Sequence, residues 1–190
     1  EKLKEQYLLP NVNLLSEIEK EQSILVLFAH YGNWEWSIIV NQSIKSKGYA
    51  VYQKIGNVYF DKLITKIRAT WNTTPISQKE TVRTMMRNYQ NGVKGVYGIV
   101  SDQSPQVGRA QYWTNFMGIK VPVYNSPEVL AKKFGHAVVF AKVSKIKRGQ
   151  YSAEFIPITL NGSTTKKNEI TDTFLRLTEE EINENPEYYL

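Results

Sequence analysis

Residues 24–39, with the sequence ILVLFAHYGNWEWSII, decide how we interpret the fold of this chain. They begin with an apolar run, 24–29, which is short and rich in branched residues, as a buried strand is. His30 follows that run, Gly32 permits unusual backbone angles, and Asn33 is a favourable residue at a helix start. The stretch therefore predicts a strand that leads through a short turn into a helix.

Within this stretch, His30 and Glu35 are candidates for an acid–base pair. In one α-helix, an offset of five residues would place them on different faces. If His30 precedes the helix, Glu35 lies in the first turn and can reach back to the imidazole ring. A carboxylate on one ring nitrogen fixes the tautomer and leaves the other nitrogen as a base. The alternative is a capping carboxylate beside a structural histidine.

Outward from this stretch, apolar strand patterns alternate with helical patterns along the chain. We expect further strands at 49–55, 96–100, 138–143 and 151–158, with a short extended piece at 73–77. Helices are expected at 33–45, 57–71, 78–90, 127–134 and from 171 or 172 to about 186, and a long loop at 102–124. The order predicts an α/β fold with a mixed, mostly parallel sheet flanked by helices, in a single domain over 1–190.

Composition narrows the classes of function. The 190 residues include no cysteine, which excludes a disulfide framework and a cysteine metal site, and no His, Asp and Glu cluster has metal-ligand spacing. The net charge of +6 favours an acidic protein, an anionic lipid surface or nucleic acid as partner. No nucleic-acid motif is present, so we predict no nucleic-acid partner. A start at Glu1 without methionine suggests a fragment.

Two further charged residues stand where function is expected. Asp102 follows a predicted strand, and ligands of α/β sheets bind beyond the carboxyl ends of strands, although an aspartate there also forms turns. Arg68 lies late in a predicted helix, where it either pairs with Asp102, binds an anionic substrate or compensates the helix dipole. A basic cluster at 142–148 is either a solvated face or a docking site for an acidic partner.

The motifs together resemble one family, the bacterial lipid A biosynthesis (lauroyl/myristoyl) acyltransferases, within the glycerolipid acyltransferase superfamily. Residues 30–35, HYGNWE, resemble the H-x4-D/E motif in its H-x-G-N-W-E form. Other matching segments follow in order: Val51-Tyr52 with Asn57, Asp61 and Arg68; Ser101-Asp102-Gln103; Phe116-Met117-Gly118; and residues 179–189. Gln53 departs from the arginine usual in the family, and Met117 replaces a phenylalanine.

This resemblance implies transfer of an acyl chain from acyl carrier protein to a hydroxyl of a membrane lipid acceptor, typically an acylated glucosamine disaccharide. It implies no cofactor beyond the carrier thioester. It also implies a site at the cytoplasmic face of the bacterial inner membrane, with anchoring by a segment absent from this chain. The alternatives are a thioesterase or hydrolase with the same residues, an acyltransferase for another lyso- or glycolipid, and a non-catalytic binding module.

The resemblance also implies roles for individual residues. His30 is the expected general base and Glu35 the residue that orients it, with no metal. Gly32 and Arg68 are the candidate oxyanion donors, and Asp102 with Arg68 is expected to form a polar bridge. The remaining residues expected to bind substrate or shape the site are Asn33, Asn57, Gln103, Phe116 and Gly118.

Overall fold

The computed structural model describes residues 5–106, 108 and 110–190, and its centre is a seven-stranded sheet. Its strands lie in the order β1-β9-β8-β2-β5-β3-β4, and β6 and β7 form a separate two-stranded sheet. The strands are β1 (Tyr7–Leu8), β2 (Ile24–Phe28), β3 (Lys47–Tyr52), β4 (Thr73–Ser77), β5 (Gly95–Val100), β6 (Tyr112–Phe116), β7 (Ile119–Val123), β8 (Ala137–Lys147) and β9 (Gln150–Thr159).

Helices cover both faces of this sheet. They are α1 (Asn13–Glu21), α2 (Val58–Arg68), α3 (Gln78–Gln90), α4 (Ser126–Phe134) and α5 (Glu169–Glu184), with a 3-10 helix at Trp34–Gln42 and short 3-10 turns at Gly162–Thr164 and Pro186–Tyr188. All pairs in the large sheet are parallel except β8 with β9. The predicted α/β class with a mixed, mostly parallel sheet is confirmed.

Strand β2 lies at the middle of the sheet, between β5 and β8. All five of its residues are buried. Ile24, Val26 and Phe28 pack into the apolar cluster on one face, and Leu25 and Leu27 pack into the cluster on the other. Burial on both faces explains why this strand is a continuous apolar run without alternation.

The segment after the first turn differs from the predicted α-helix over 33–45. It is a 3-10 helix over Trp34–Gln42, and the Asn33 side chain does not cap it. In a 3-10 helix, residues three apart lie in one row. Trp34, Ser37 and Val40 form such a row, and all three line one side of a cleft that is described below.

The predicted loop at 102–124 contains a hairpin that the sequence did not reveal. Strands β6 and β7 pair in antiparallel fashion, and Met117 and Gly118 form their turn with positive φ angles of 51° and 77°. Two-residue hairpin turns favour Asn-Gly or Asp-Gly, and methionine is uncommon in this conformation. Only Gly118 matches this preference, so the hairpin was difficult to predict from the sequence.

Helix α2 turns its apolar stripe toward solvent. Phe60, Leu63, Ile64 and Ile67 repeat at the spacing typical of a helix face that packs on a core, yet only Ile64 is partly buried. The side that packs against the protein carries Asp61, Ile64, Thr65 and Arg68 instead. Within the described residues, no helix has both the length and the apolar composition required to cross a membrane.

Candidate active site

The sheet register brings His30 and Asp102 together. Phe28 at the end of β2 lies beside Val100 at the end of β5. The Ser101 N–H continues this pairing by donating to the Phe28 carbonyl at 3.2 Å. His30 and Asp102 each follow two residues after these strand ends, so they meet at the carboxyl edge of the sheet, where α/β proteins bind ligands.

The Asp102 carboxylate holds His30 through both of its oxygens. Oδ1 lies 2.7 Å from the ring Nδ1, and Oδ2 accepts from the His30 backbone N–H at 3.1 Å. The Asp102 side chain is fully buried, whereas the His30 side chain is 22% exposed. A carboxylate only accepts, so it selects the tautomer with the proton on Nδ1 and leaves the lone pair on Nε2. Nε2 is thereby prepared to act as a base.

Glu35 forms no hydrogen bond or ion pair with His30, so the predicted pairing of these two residues is wrong. Its two carboxylate oxygens accept from the Nε (3.2 Å) and Nη2 groups of Arg68. The predicted bridge between Asp102 and Arg68 is absent for the same reason, since each has another partner. The two carboxylates have exchanged their expected partners: Asp102 orients the imidazole ring and Glu35 orients the guanidinium group.

Trp34 lies between these two pairs. Its ring makes an edge contact with the His30 ring at a centroid distance of 5.3 Å. The Arg68 guanidinium carbon lies 5.9 Å from the centroid of the same indole, within the range of a cation–π contact. Trp34 therefore connects the base to the ion pair and fixes the spacing between them.

A mainly apolar cleft begins beside this tryptophan. It runs between the 3-10 helix and strands β2, β3 and β5, and its empty space, which is partly open to solvent, amounts to about 610 Å³. Glu35 and Arg68 line it together with Trp34, and Gly98 contributes bare backbone to its floor. The remaining lining residues are mainly aliphatic or aromatic: Val26, Phe28, Ser37, Ile38, Val40, Asn41, Tyr49, Ala50, Val51, Val96 and Val100. Such a shape suits an extended hydrocarbon chain.

The C-terminal segment 186–190 supports the turn that carries His30. The Gly32 N–H donates to the Tyr188 carbonyl at 2.8 Å, and the Leu190 N–H donates to the His30 carbonyl at 3.0 Å. Tyr31 and Tyr189 form an antiparallel bridge between these bonds. Because the Gly32 N–H already has an acceptor, the prediction that it stabilises an oxyanion is wrong for this group. Arg68 remains as the predicted donor.

The other predicted site residues have mainly structural surroundings. Asn57 caps α2 by accepting from the backbone N–H groups of Tyr59 and Phe60. Phe116 packs against Tyr189, and Gly118 forms the hairpin turn. Gln103 is exposed beside Asp102, and Asn33 is partly buried at the start of the 3-10 helix. Their predicted contacts with substrate stay predictions.

Two residues near the pair were not among our candidates. Glu181 is almost fully buried in α5, where its Oε1 accepts from the Val143 N–H. Burial raises the pKa of Glu181 to about 8, opposed by the Val143 hydrogen bond and by Lys142. Burial and the neighbouring Asp102 carboxylate raise the pKa of Tyr189 to about 12, so its hydroxyl stays protonated. Both lie in residues 179–189, and the resemblance of that segment to the acyltransferase family was the sequence signal that could have identified them.

A basic hairpin extends from the same edge of the sheet. Strands β8 and β9 continue to the turn at Gly149, and β8 runs parallel to β2, so its carboxyl end points toward the His30 edge. Lys142 pairs with Glu184, and the Lys145 ammonium group lies 4.8 Å from the centroid of the Tyr188 ring. Lys147 is exposed near the turn.

Among the described residues, no group of three or more His, Cys, Asp and Glu side chains is arranged to hold a metal ion. The pair and its surroundings instead provide one base, one cation and one apolar cleft. That combination can remove a proton from a hydroxyl, receive a chain and stabilise a developing negative charge.

Comparisons with known proteins identify the family of this chain and show a related fold. The family model for bacterial lipid A biosynthesis acyltransferases matches residues 2–190. Among solved structures, the chain is similar to the 1-acyl-sn-glycerophosphate (LPA) acyltransferase PlsC from Thermotoga maritima. That match has a TM-score of 0.51 and 13% sequence identity, and covers 99% of this chain and 75% of that chain. At this identity the likeness shows the fold alone. A search of curated proteins gave no match.

Proposed function

The chain belongs to the bacterial lipid A biosynthesis acyltransferase family, and on that basis we propose that it moves a fatty acyl chain from acyl carrier protein to a hydroxyl of a lipid A precursor. The observation that carries the proposal is the His30–Asp102 pair beside an apolar cleft. We further propose that the reaction takes place at the cytoplasmic face of the inner membrane.

In this proposal, His30 is the general base. An alcohol has a pKa near 16, so it becomes a useful nucleophile only if a base takes its proton during attack. Nε2 of His30 takes that proton as the alcohol oxygen bonds to the thioester carbonyl carbon. The buried Asp102 carboxylate then stabilises the imidazolium ion. When the carbon–sulfur bond breaks, the imidazolium returns the proton to the departing thiolate.

The cleft is proposed to hold the acyl chain, and Arg68 to face its carbonyl end. Arg68 lies at the part of the lining that also contains Trp34 and Glu35, next to the His30 ring. Its two hydrogen bonds to Glu35 hold the guanidinium group in place before the reaction begins. A cation fixed in advance is well suited to stabilise the negative oxygen of a tetrahedral intermediate.

The direct test measures product with and without lipid acceptor. With an acyl carrier thioester and a lipid A precursor, we expect an acylated lipid from the wild-type chain. We expect His30→Ala to reduce the rate at least 10²-fold, the lower end of the range for general base catalysis. Free fatty acid as the main product in the presence of acceptor would contradict the proposal and favour a thioesterase.

The basic hairpin is proposed to receive the acidic carrier protein, because it extends from the same sheet edge as His30. Lys145→Glu together with Lys147→Glu should raise the KM for the carrier thioester and weaken its dependence on salt. Lys167→Glu is a matched control, since Lys167 is exposed and follows β9, whose end lies at the opposite edge of the sheet. An equal KM for the carrier thioester in the wild-type chain, the Lys145/Lys147 variant and the Lys167 control would contradict this docking site.

A further inference from the structure

Helix α2 has its polar and apolar sides reversed relative to an ordinary surface helix. Tyr59, Phe60, Leu63 and Ile67 lie on the outer side, and each is more than half exposed. A surface helix normally buries its apolar stripe and exposes its polar side. Large exposed apolar patches on folded proteins mark interaction surfaces.

The inner side of α2 is held by polar contacts that fix this orientation. Asp61 accepts from the Ile55 N–H at 2.9 Å, and Arg68 bonds to the Glu35 carboxylate. Asn57 caps the first turn. The helix is therefore anchored to the protein by its polar side, and its apolar stripe is left without a partner in the described part of the chain.

Positive charges flank the stripe. Lys62 and Lys66 are exposed on the outer side of α2, and Lys54 is exposed in the segment before it. Trp71 follows the helix and is 36% exposed. Apolar residues flanked by lysines, with aromatic residues nearby, are the pattern of helices that lie in the interface of an anionic membrane.

From this arrangement we infer that the outer face of α2, formed by Tyr59, Phe60, Lys62, Leu63, Lys66 and Ile67, docks the protein onto an anionic lipid bilayer. The helix lies flat, its apolar stripe enters the acyl boundary, and the lysines contact lipid headgroups. A second copy of the chain fits this face less well. In a two-fold interface the same lysines would approach each other, and like charges repel.

This inference extends the proposed function, because Arg68 at the end of the same helix lines the cleft. Docking through α2 would place Arg68, and with it the part of the cleft that Arg68 lines, one helix diameter from the membrane surface, where a lipid acceptor resides. The acceptor then reaches His30 without leaving the bilayer for water. The inference rests on the proposed function only for this consequence, since binding to lipid is measured without any reaction.

The test is flotation of the purified chain with vesicles that contain no acceptor. We expect binding to anionic vesicles of phosphatidylethanolamine with about 30% phosphatidylglycerol, and weaker binding to uncharged phosphatidylcholine vesicles. Leu63→Glu with Ile67→Glu should lower the partition coefficient at least about tenfold, because two inserted side chains are lost. Lys62→Glu with Lys66→Glu should lower it at least about twentyfold, and less at high salt.

Leu160→Glu is the matched control, since Leu160 is 57% exposed, as Ile67 is, but follows β9 at the opposite edge of the sheet. Circular dichroism and urea unfolding verify that each variant folds. Equal flotation of the Leu63/Ile67 variant and the control would overturn the inference. The inference would also be overturned if the wild-type chain failed to float and instead formed dimers that the Leu63/Ile67 variant does not form. Binding of carrier protein through this face by a wild-type chain that fails to float would overturn it as well.

The two proposals fail in different ways. A wild-type chain that floats with anionic vesicles but transfers no acyl chain would contradict the proposed function and leave the lipid-docking surface intact. A chain that acylates acceptor dispersed in detergent but does not bind vesicles would overturn the docking surface and leave the function intact.

Discussion

Replacing Asp102 with asparagine separates the observed pair from the pairing that the sequence predicted. In the structure, Asp102 accepts from two donors, the His30 ring Nδ1–H and the His30 backbone N–H. An asparagine side chain has one acceptor oxygen and one NH₂ donor, so it cannot satisfy both. If its oxygen stays on the backbone N–H, its NH₂ group faces Nδ1 and forces the ring proton onto Nε2.

That tautomer places a proton where the base needs its lone pair. In Ser-His-Asp sites, the same change of carboxylate to amide lowers kcat about 10⁴-fold for this reason. We expect Asp102→Asn to lower kcat by about 10³- to 10⁴-fold, equivalent to about 4–5 kcal/mol of activation free energy. Because His30 and Asp102 act as one unit, His30→Ala with Asp102→Asn should be no slower than His30→Ala alone.

The assay is steady-state transfer from carrier thioester to lipid acceptor, with Glu35→Gln as the matched carboxylate-to-amide control. Glutamine can still accept from Arg68 but loses the charge of a partly exposed ion pair, worth about 1 kcal/mol or less. We expect at most a tenfold lower rate. If Asp102→Asn stayed within tenfold of wild type while Glu35→Gln lost 10³-fold, the reasoning from the observed hydrogen bonds would be refuted.

Three further changes test other features. Gly98→Val adds a side chain to the cleft floor, where a Cβ would lie 3.5 Å from the Phe28 ring, so KM should rise about tenfold for the longest acyl donors only. An equal rise in KM for short donors would contradict the cleft as the binding site of the acyl chain. Glu181→Gln should abolish a loss of folding stability that the wild-type chain shows as pH rises from about 4.5 to about 8. In this range the folded chain keeps the Glu181 proton, whereas the unfolded chain releases it at the ordinary pKa of 4.5, so the stability lost is at most about 5 kcal/mol. Urea unfolding at pH 5 and pH 8.5 measures it, and a mutational effect equal at both values contradicts it. Tyr31→Phe removes the 2.8 Å hydrogen bond to the Asn185 carbonyl and should cost about 1 kcal/mol in urea unfolding, whereas an unchanged midpoint contradicts a stabilising role.

Local sequence patterns were sufficient for the fold class. The apolar run at 24–28 is a buried central strand, and the helix expected at 78–90 has those bounds in the structure. Both depend on interactions between residues close in the chain, which periodicity and capping residues report. The capping box of Ser77 and Glu80 is an example, since both partners lie within one helical turn.

The partner of His30 depended on information that periodicity does not contain. The two residues of the pair are 72 positions apart, and they meet because β2 and β5 are neighbours with Phe28 beside Val100. A single sequence indicates where strands end but not the order of the strands in the sheet. Glu35 was the nearer carboxylate in the chain, and proximity in sequence led to the wrong partner.

The outward stripe of α2 was also beyond pattern analysis. A helical period of apolar residues shows that they share a face, but it does not show what that face meets. The usual assumption is a protein core. Here the polar contacts of Asp61 and Arg68 decide the orientation, and both depend on residues outside the helix.

The bridge between Tyr31 and Tyr189 has a consequence for biosynthesis. The residues of the His30 turn are synthesised early. The Tyr188 carbonyl and the Leu190 N–H, which form hydrogen bonds with this turn, are translated more than 150 residues later. A nascent chain can form strands β2 and β5 before those residues leave the exit tunnel. The turn that carries His30 is therefore completed only after residues 188–190 have been synthesised, long after the strand that precedes it.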